Sequence, residues 1–130
     1  MTGHATGRIA AAPDRVFAAI GAVVHAPVEL HDGAEWVVEG GRRPVHAHAI
    51  EVDAAERRLV YRSKPECSNP SFTIWTWEVD PDGLGGSLVT LAWELRPATI
   101  FDKRVGAKFR LRAIERDEAP ASLVALAEAC

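Results

Sequence analysis

The chain has 130 residues, 48% of them apolar and 25% charged, which is typical of one globular domain and unlike a disordered chain. Its formal charge of −3 gives no reason to expect nucleic acid or a membrane surface as a partner. No apolar run approaches the roughly 18 residues that span a bilayer, and no secretory signal is visible. Two cysteines, Cys67 and Cys130, cannot build a disulfide framework, which favours reduced thiols and a cytoplasmic location.

The first part of the chain predicts a strand and then a helix. Residues 7–11 form a short strand. Pro13 suits the first helical position because its missing N–H would be unpaired there, and Asp14 favours the positive end of the helix dipole. One apolar stripe follows at helical spacing, made of Val16, Phe17, Ile20, Val23 and Val24. Pro27 ends the helix.

From residue 35 the apolar period changes to two, which predicts a run of strands. The expected strands are 35–39, 45–53, 58–64, 72–80 and 87–96. Gly40 and Gly41 follow the first of them as a hairpin signal. Because the links are short, these five strands form an antiparallel meander within one domain, 1–130.

After Pro97 the pattern becomes helical to the end of the chain. One face would carry Phe101, Val105, Phe109, Leu123, Leu126 and Ala127 if the helix is continuous. Pro120 should kink the helix or split it in two. The whole pattern predicts an α+β fold, in which a curved antiparallel sheet wraps around a long C-terminal helix and encloses an apolar cavity.

Tryptophans mark the face of the sheet that must be buried. Strict alternation places Trp75 and Trp77 on one face of their strand, and Trp93 on the same face of the next strand. They are candidates, with Trp36, for lining a ligand cavity, because an indole carries an N–H that needs a partner. Packing as plain core is the alternative.

His46 and His48 are the sharpest chemical feature. If Glu51 and Asp53 face water, alternation turns both imidazoles inward, beside Tyr61 of the next strand. Acid–base catalysis by the three residues is one hypothesis, since imidazole titrates near neutral pH. Polar lining near the cavity mouth is another. A metal site would need a third ligand, for which only His25, Glu29, His31 and Asp32 are available, and we predict neither a metal nor a cofactor.

Several segments together resemble the START-type, birch-pollen-allergen-like helix-grip superfamily (SRPBCC). They are the opening strand, Ala-Pro pair and helix of 8–20, the strand–turn–strand of 52–61, the hairpin of 76–90, and the closing helix. The resemblance covers nearly the whole chain, but its motifs mark a fold and not a catalytic signature. It implies an internal cavity and a function drawn from polyketide cyclisation or dehydration, lipid transport, or binding of hydrophobic metabolites.

This sequence departs from the family pattern in the segment before residue 35. That segment is short, and six strands are predicted where the family usually has seven. The cavity should therefore be smaller or more open than in the family. We expect a small hydrophobic or aromatic ligand, bound with or without cyclase or dehydratase chemistry, by a monomer or a homodimer. The alternative is a carrier, sensor or interaction module without catalysis.

The C-terminal helix is rich in Lys and Arg, which usually marks a solvated face. Arg112 and Arg116 nevertheless fall near the stripe of Phe101, Val105 and Phe109, and one of them is expected to reach an anionic group on the ligand. Cys67 lies near Lys64, but without a paired histidine it is a weak candidate for a catalytic thiol.

Overall fold

The computed structural model describes residues 1–27, 29–39 and 41–130. Six strands form one antiparallel sheet in the order β1-β6-β5-β4-β3-β2. The strands are β1 (Thr2–Ile9), β2 (Glu35–Val38), β3 (Val45–Asp53), β4 (Arg58–Pro65), β5 (Phe72–Pro81) and β6 (Ser87–Arg96). The predicted meander of five strands is therefore confirmed. Gly40, part of the predicted hairpin signal, and Val28 lie outside the described residues.

The helices follow the expected order as well. Helix α1 is Pro13–Val23. The C-terminal helix comprises a π-helical turn (Asp102–Gly106), α2 (Ala107–Ala113), a second π-helical turn (Ile114–Glu118) and α3 (Ala119–Ala129). A curved sheet with a long C-terminal helix is the predicted helix-grip architecture. None of the helices in the described ranges is long and apolar enough to cross a membrane.

Strand β1 begins five residues before the predicted strand, and its inward positions explain why. Gly3, Ala5 and Gly7 alternate with exposed polar residues, so the strand carries little hydrophobic signal. Small residues are required here because β1 lies against bulky neighbours. A Cβ added at Gly3 would lie 2.5 Å from Nε1 of Trp93, which pairs directly with it.

An aromatic row crosses the inner face of the sheet. The ring centroids of Trp36 and Tyr61 are 5.6 Å apart, those of Tyr61 and Trp75 are 6.5 Å apart, and those of Trp75 and Trp93 are 6.4 Å apart. Trp36 and Tyr61 meet above β3, which presents only alanines beneath them: Ala47 pairs with Trp36 and Ala49 pairs with Tyr61. The row thus alternates large and small side chains, as dense packing requires.

A β-bulge at Ile50 sets the facing of β3. Ala49 pairs with Tyr61, whereas Glu51 pairs with the adjacent Val60, so Ile50 is the extra residue. Ile50 is 49% exposed, while Ala47 and Ala49 are buried. The predicted inward facing of His46 and His48 is therefore wrong, because one extra residue in a strand reverses any count of alternation made across it.

Pro120 does not split the helix, which runs without a break from 100 to 129. It lies at the start of α3, directly after the second π-helical turn. A proline has no N–H to donate and its ring crowds the carbonyl one turn earlier. A π-helical turn widens the backbone and changes the hydrogen-bond step at that point. The widened turn therefore accommodates the proline, and the helical segment continues to residue 129.

Enlarging Ala49 tests the packing of the aromatic row. Its side chain is fully buried, so Ala49→Leu should lower the free energy of unfolding by about 1–3 kcal/mol through overpacking. Urea denaturation followed by tryptophan fluorescence measures the change. The matched control is Ile50→Thr on the exposed bulge, which should change stability by less than about 0.5 kcal/mol. Equal stability of Ala49→Leu and the wild type would contradict this packing.

Candidate functional site

A cavity of about 200 Å³ lies between one end of the sheet and the start of the C-terminal helix. Its sheet side is formed by Val45, Ser63, Pro65, Thr73 and Leu95, and the loop 66–71 closes another side with Cys67, Asn69 and Ser71. Its lining is mostly apolar, with a few polar groups. The cavity is open to solvent on one side, and an apolar volume of this order accommodates a molecule of about the size of benzene.

Small residues on the helix leave this space open. Gly106 and Ala107 line the cavity, and Ala107 is buried. Gly106 has no room for a side chain, because an added Cβ would collide with Oδ1 of Asp102, one turn earlier. Large residues at these two positions would fill the gap between helix and sheet. The cavity therefore exists because the helix presents its smallest side chains to the end of the sheet.

Asp102 joins the helix to the loop that closes the cavity. Its Oδ2 accepts hydrogen bonds from Nδ2 of Asn69, at 2.6 Å, and from Oγ of Ser71. The backbone N–H of Asp102 donates in turn to Oγ1 of Thr99. These hydrogen bonds, with that from Ser71 first, hold the pKa of the Asp102 carboxyl below its usual value. Asp102 is thus a fixed, ionised acceptor that positions the loop.

Arg110 supplies a cation to the cavity wall. Its guanidinium forms a bidentate ion pair with Glu118, eight residues later on the same helix. On a regular α-helix, side chains eight residues apart are offset by roughly 80° around the axis. The π-helical turn Ile114–Glu118 lies between them, and its extra residue reduces that offset. Arg110 therefore lines the cavity while its guanidinium is held by the Glu118 carboxylate.

Tyr61 lies deeper, within the aromatic row, and does not line the cavity. Burial raises the pKa of its phenol well above the ordinary value, and the Glu118 carboxylate adds to the effect. The phenol therefore remains protonated at neutral pH. A group in this state donates a hydrogen bond but does not act as a general base.

His46 and His48 lie on the outer face of the sheet, opposite Tyr61. Nδ1 of His48 is 2.9 Å from Oε1 of Glu35, and Nε2 of His46 is 3.4 Å from Oε2 of Glu66. They border a second groove, of about 290 Å³, together with Arg62 and Lys64. Among the described residues, no three His, Cys, Asp or Glu side chains could hold a metal ion. The predicted convergence of the two histidines with Tyr61 is wrong, because the bulge at Ile50 turns both imidazoles to the opposite face of the sheet.

The tryptophans occupy the core beside the cavity. Trp36, Trp75, Trp77 and Trp93 are all at most 6% exposed, and none lines the cavity. Trp75 still contributes to it indirectly, because its Nε1 donates to Oγ of Ser63, a lining residue, at 2.8 Å. Trp36 donates to the carbonyl of Val24 and so ties β2 to the end of α1.

The first half of the predicted helix stripe faces outward, whereas its second half contributes Leu126 to the core. Phe101 and Phe109 are each 67% exposed and Val105 is 40% exposed. Besides Leu126, the buried residues of the C-terminal helix are Ala107, Ile114 and Ala119, none of which was predicted on the stripe. Two π-helical turns add residues that a 3.6-residue period does not count, so the stripe cannot be extrapolated from Leu123 and Leu126 back to Phe101.

The basic residue at the cavity is also a different one. Arg112 and Arg116 are exposed, and Arg116 lies 3.8 Å from Asp117. Arg110, two residues before Arg112, is the cation that lines the cavity. The sequence analysis also missed Asp102 and Gly106. The available signal is that they lie four residues apart, one helical turn, and that Asn69 and Ser71 form a polar loop earlier in the chain.

Solved structures with the same architecture support the fold. The di-domain ARO/CYC BexL from the BE-7585A biosynthetic pathway matches 98% of this chain and 45% of its own, with 20% identity and a TM-score of 0.70. The Zhui aromatase/cyclase from Streptomyces sp. R1128 matches 99% of this chain and 93% of its own, with 16% identity and a TM-score of 0.65.

A third structure is norcoclaurine synthase from Thalictrum flavum in complex with dopamine and hydroxybenzaldehyde. It matches 98% of this chain and 84% of its own, with 16% identity and a TM-score of 0.62. No family model matches the sequence, and no curated protein matches it either. At these identities the likeness confirms the fold predicted from the resemblance: this chain is similar to helix-grip proteins.

Replacing Asp102 tests the junction between loop and helix. Asp102→Ala should lower the free energy of unfolding at pH 7 by about 1 kcal/mol, because two side-chain donors lose their acceptor. A lowered pKa in the folded state means that the carboxylate stabilises the fold above its unfolded pKa of about 4 and that this contribution disappears as pH falls through the folded value. The difference between the two proteins should therefore shrink below about pH 4.

Urea denaturation of both proteins at a series of pH values measures this difference. Asp117→Ala, on an exposed part of the same helix, is the matched control and should change stability little. A difference between wild type and Asp102→Ala that does not vary with pH would contradict a role for the charge.

Proposed function

We propose that this helix-grip domain binds a one-ring aromatic or similarly small hydrophobic molecule that carries a carboxylate or carbonyl group. The cavity beside Arg110 carries the proposal. About 200 Å³ of mostly apolar space suits one ring. A guanidinium at its wall is suited to an anionic oxygen.

The two charged residues of the cavity wall have different roles: Asp102 positions the loop, and Arg110 would recognise the ligand. Asp102 is satisfied by Asn69 and Ser71 and so fixes the loop. Arg110 keeps donor capacity beyond Glu118, because a guanidinium has five N–H groups and the ion pair uses two. A ligand carboxylate or carbonyl would accept from the remaining donors, while its ring packs against Leu95 and Ala107.

Binding without chemistry is the form of this function that the geometry favours. His46 and His48 lie on the outer face of the sheet, and Tyr61 does not line the cavity. Similar folds include two aromatase/cyclases, and norcoclaurine synthase was solved with dopamine and hydroxybenzaldehyde. Those two ligands are of the size that this cavity would hold, which supports a small aromatic ligand without requiring the same reaction.

Filling the cavity tests the binding site. Benzoate and benzaldehyde serve as probes, and isothermal titration calorimetry measures their affinity. Ala107→Leu should weaken both at least tenfold, since the added side chain would occupy the space meant for the ring. The matched control is Ala121→Leu on the exposed face of α3, which should bind as the wild type does. Failure of the wild type to bind either probe, or full binding by Ala107→Leu, would reject the proposal.

Removing the cation tests how the ligand is oriented. Arg110→Met should weaken benzoate binding about tenfold or more, since a charge-assisted hydrogen bond is lost, and should weaken toluene binding little. The matched control is Arg112→Met, because Arg112 is exposed and lies outside the cavity. A larger effect of Arg112→Met than of Arg110→Met would assign recognition to the other arginine.

A further inference from the structure

An exposed apolar stripe runs along the outer side of the C-terminal helix. It consists of Ile100, Phe101, Val105 and Phe109, which are 74%, 67%, 40% and 67% exposed. The last three repeat every four residues and so lie on one side of the helix. Two phenylalanines, each two-thirds exposed on one helix face, are unusual in a domain whose tryptophans are all buried, and such a patch marks an interaction surface.

Cations surround this stripe. Between residues 103 and 116 the chain places six of its fifteen Lys and Arg residues against one carboxylate, Glu115. Lys103, Arg104, Lys108 and Arg112 are exposed, and across 1–27, 29–39 and 41–130 no carboxylate lies within ion-pair distance of any of them. The cations are concentrated in the first half of the helix: residues 102–113 carry five Lys and Arg and one carboxylate, whereas residues 114–129 carry one Arg and four carboxylates.

We propose that this helix docks the protein onto an anionic lipid bilayer surface, with the stripe inserted among the lipid headgroups. A helix with large apolar side chains on one side and Lys and Arg beside them has the composition of an interfacial membrane-binding helix. The cations would approach the negatively charged headgroups while the phenylalanines leave water. This docking is peripheral and needs no membrane-spanning helix.

A second copy of the chain fits this surface less well. In a two-fold symmetric dimer the same patch meets itself, so Lys103, Arg104 and Lys108 would approach the equivalent cations of the partner. Like charges brought together across an interface oppose association. Of the carboxylates on the helix, Asp102 is engaged by Asn69 and Ser71 and Glu118 by Arg110, and the others lie in its second half, at 115, 117 and 128. Charge complementarity therefore favours an anionic surface over self-association.

The docking surface borders the cavity but is separate from it. Phe101, Val105 and Phe109 each directly precede a cavity-lining residue in the chain: Asp102, Gly106 and Arg110. Successive helical residues are rotated by about 100°, so the stripe lies beside the cavity wall. Docking would bring the cavity close to the bilayer, yet it depends on surface residues that take no part in ligand binding.

Vesicle co-sedimentation tests the proposal on the full chain. Vesicles of phosphatidylcholine with about one third phosphatidylserine should sediment the protein, whereas pure phosphatidylcholine vesicles should bind it at least tenfold more weakly, because the surface attraction of several cations is lost. Added salt should weaken binding to the anionic vesicles. Equal binding to both kinds of vesicle, or none to either, would overturn the proposal.

Paired variants separate the two parts of the surface. Phe101→Ser/Phe109→Ser and Arg104→Glu/Lys108→Glu should each lower vesicle binding at least tenfold. The apolar control is Leu84→Ser/Val124→Ser, which changes two exposed residues elsewhere. The charge control is Arg8→Glu/Arg62→Glu on the outer face of the sheet. Circular dichroism verifies that every variant is folded. A control that loses as much binding as its test variant would contradict the assignment.

Sedimentation velocity in the absence of lipid tests whether a second copy of the chain covers the stripe instead. The proposal expects a monomer whose sedimentation is the same for the wild type and Phe101→Ser/Phe109→Ser. A dimer that this double variant dissociates, with no vesicle binding, would overturn the proposal in favour of self-association. Benzoate binding is measured on the same variants and should be unchanged, so a failure of docking is distinguishable from a failure of the ligand site.

Discussion

The packing of aromatic rings across the sheet is the constraint on which the rest of the structure depends. Trp36, Tyr61, Trp75 and Trp93 form a continuous row over five strands. A row of this bulk is possible only where neighbouring positions are small, and the chain supplies glycine in β1 and alanines in β3. Truncating a buried Trp side chain typically costs about 3–5 kcal/mol, so these contacts weigh heavily in a domain of this size.

The position of the cavity follows from this packing. The tryptophans fill the middle of the inner face, and the space left over lies at the end of the sheet, where the helix carries Gly106 and Ala107. At this end of the sheet, polar interactions accompany the apolar contacts: Asp102 accepts hydrogen bonds from the loop, and Arg110 lines the cavity. The result is a small site beside a densely packed aromatic core, and a preorganised site lowers the entropic cost of binding.

The sequence predicts the architecture well because each element carries its own local signal. The strong strands β5 and β6 alternate without interruption, and the start of α1 is marked by Pro13 and Asp14. The site is predicted poorly because it depends on two deviations from regular periods. The bulge at Ile50 reverses the count that turned His46 inward, and the π-helical turns displace the face that Phe101 was expected to share with Leu126. In both cases single residues are added to an element, and side-chain periodicity carries no separate signal for them. The break is visible in hindsight, since Ala49 and Ile50 are consecutive apolar residues.

The bulge also decides where the chain can change its length. A deletion inside a paired strand normally turns every following side chain to the opposite face, which buries polar groups and exposes apolar ones. At Ile50 the extra residue lies outside the pairing, with Ala49 and Glu51 already opposite adjacent residues of β4. Loss of this one residue would leave Ala47, Ala49 and Val52 on the faces they now occupy. Position 50 is thus a point in β3 at which a one-residue deletion would leave the core undisturbed.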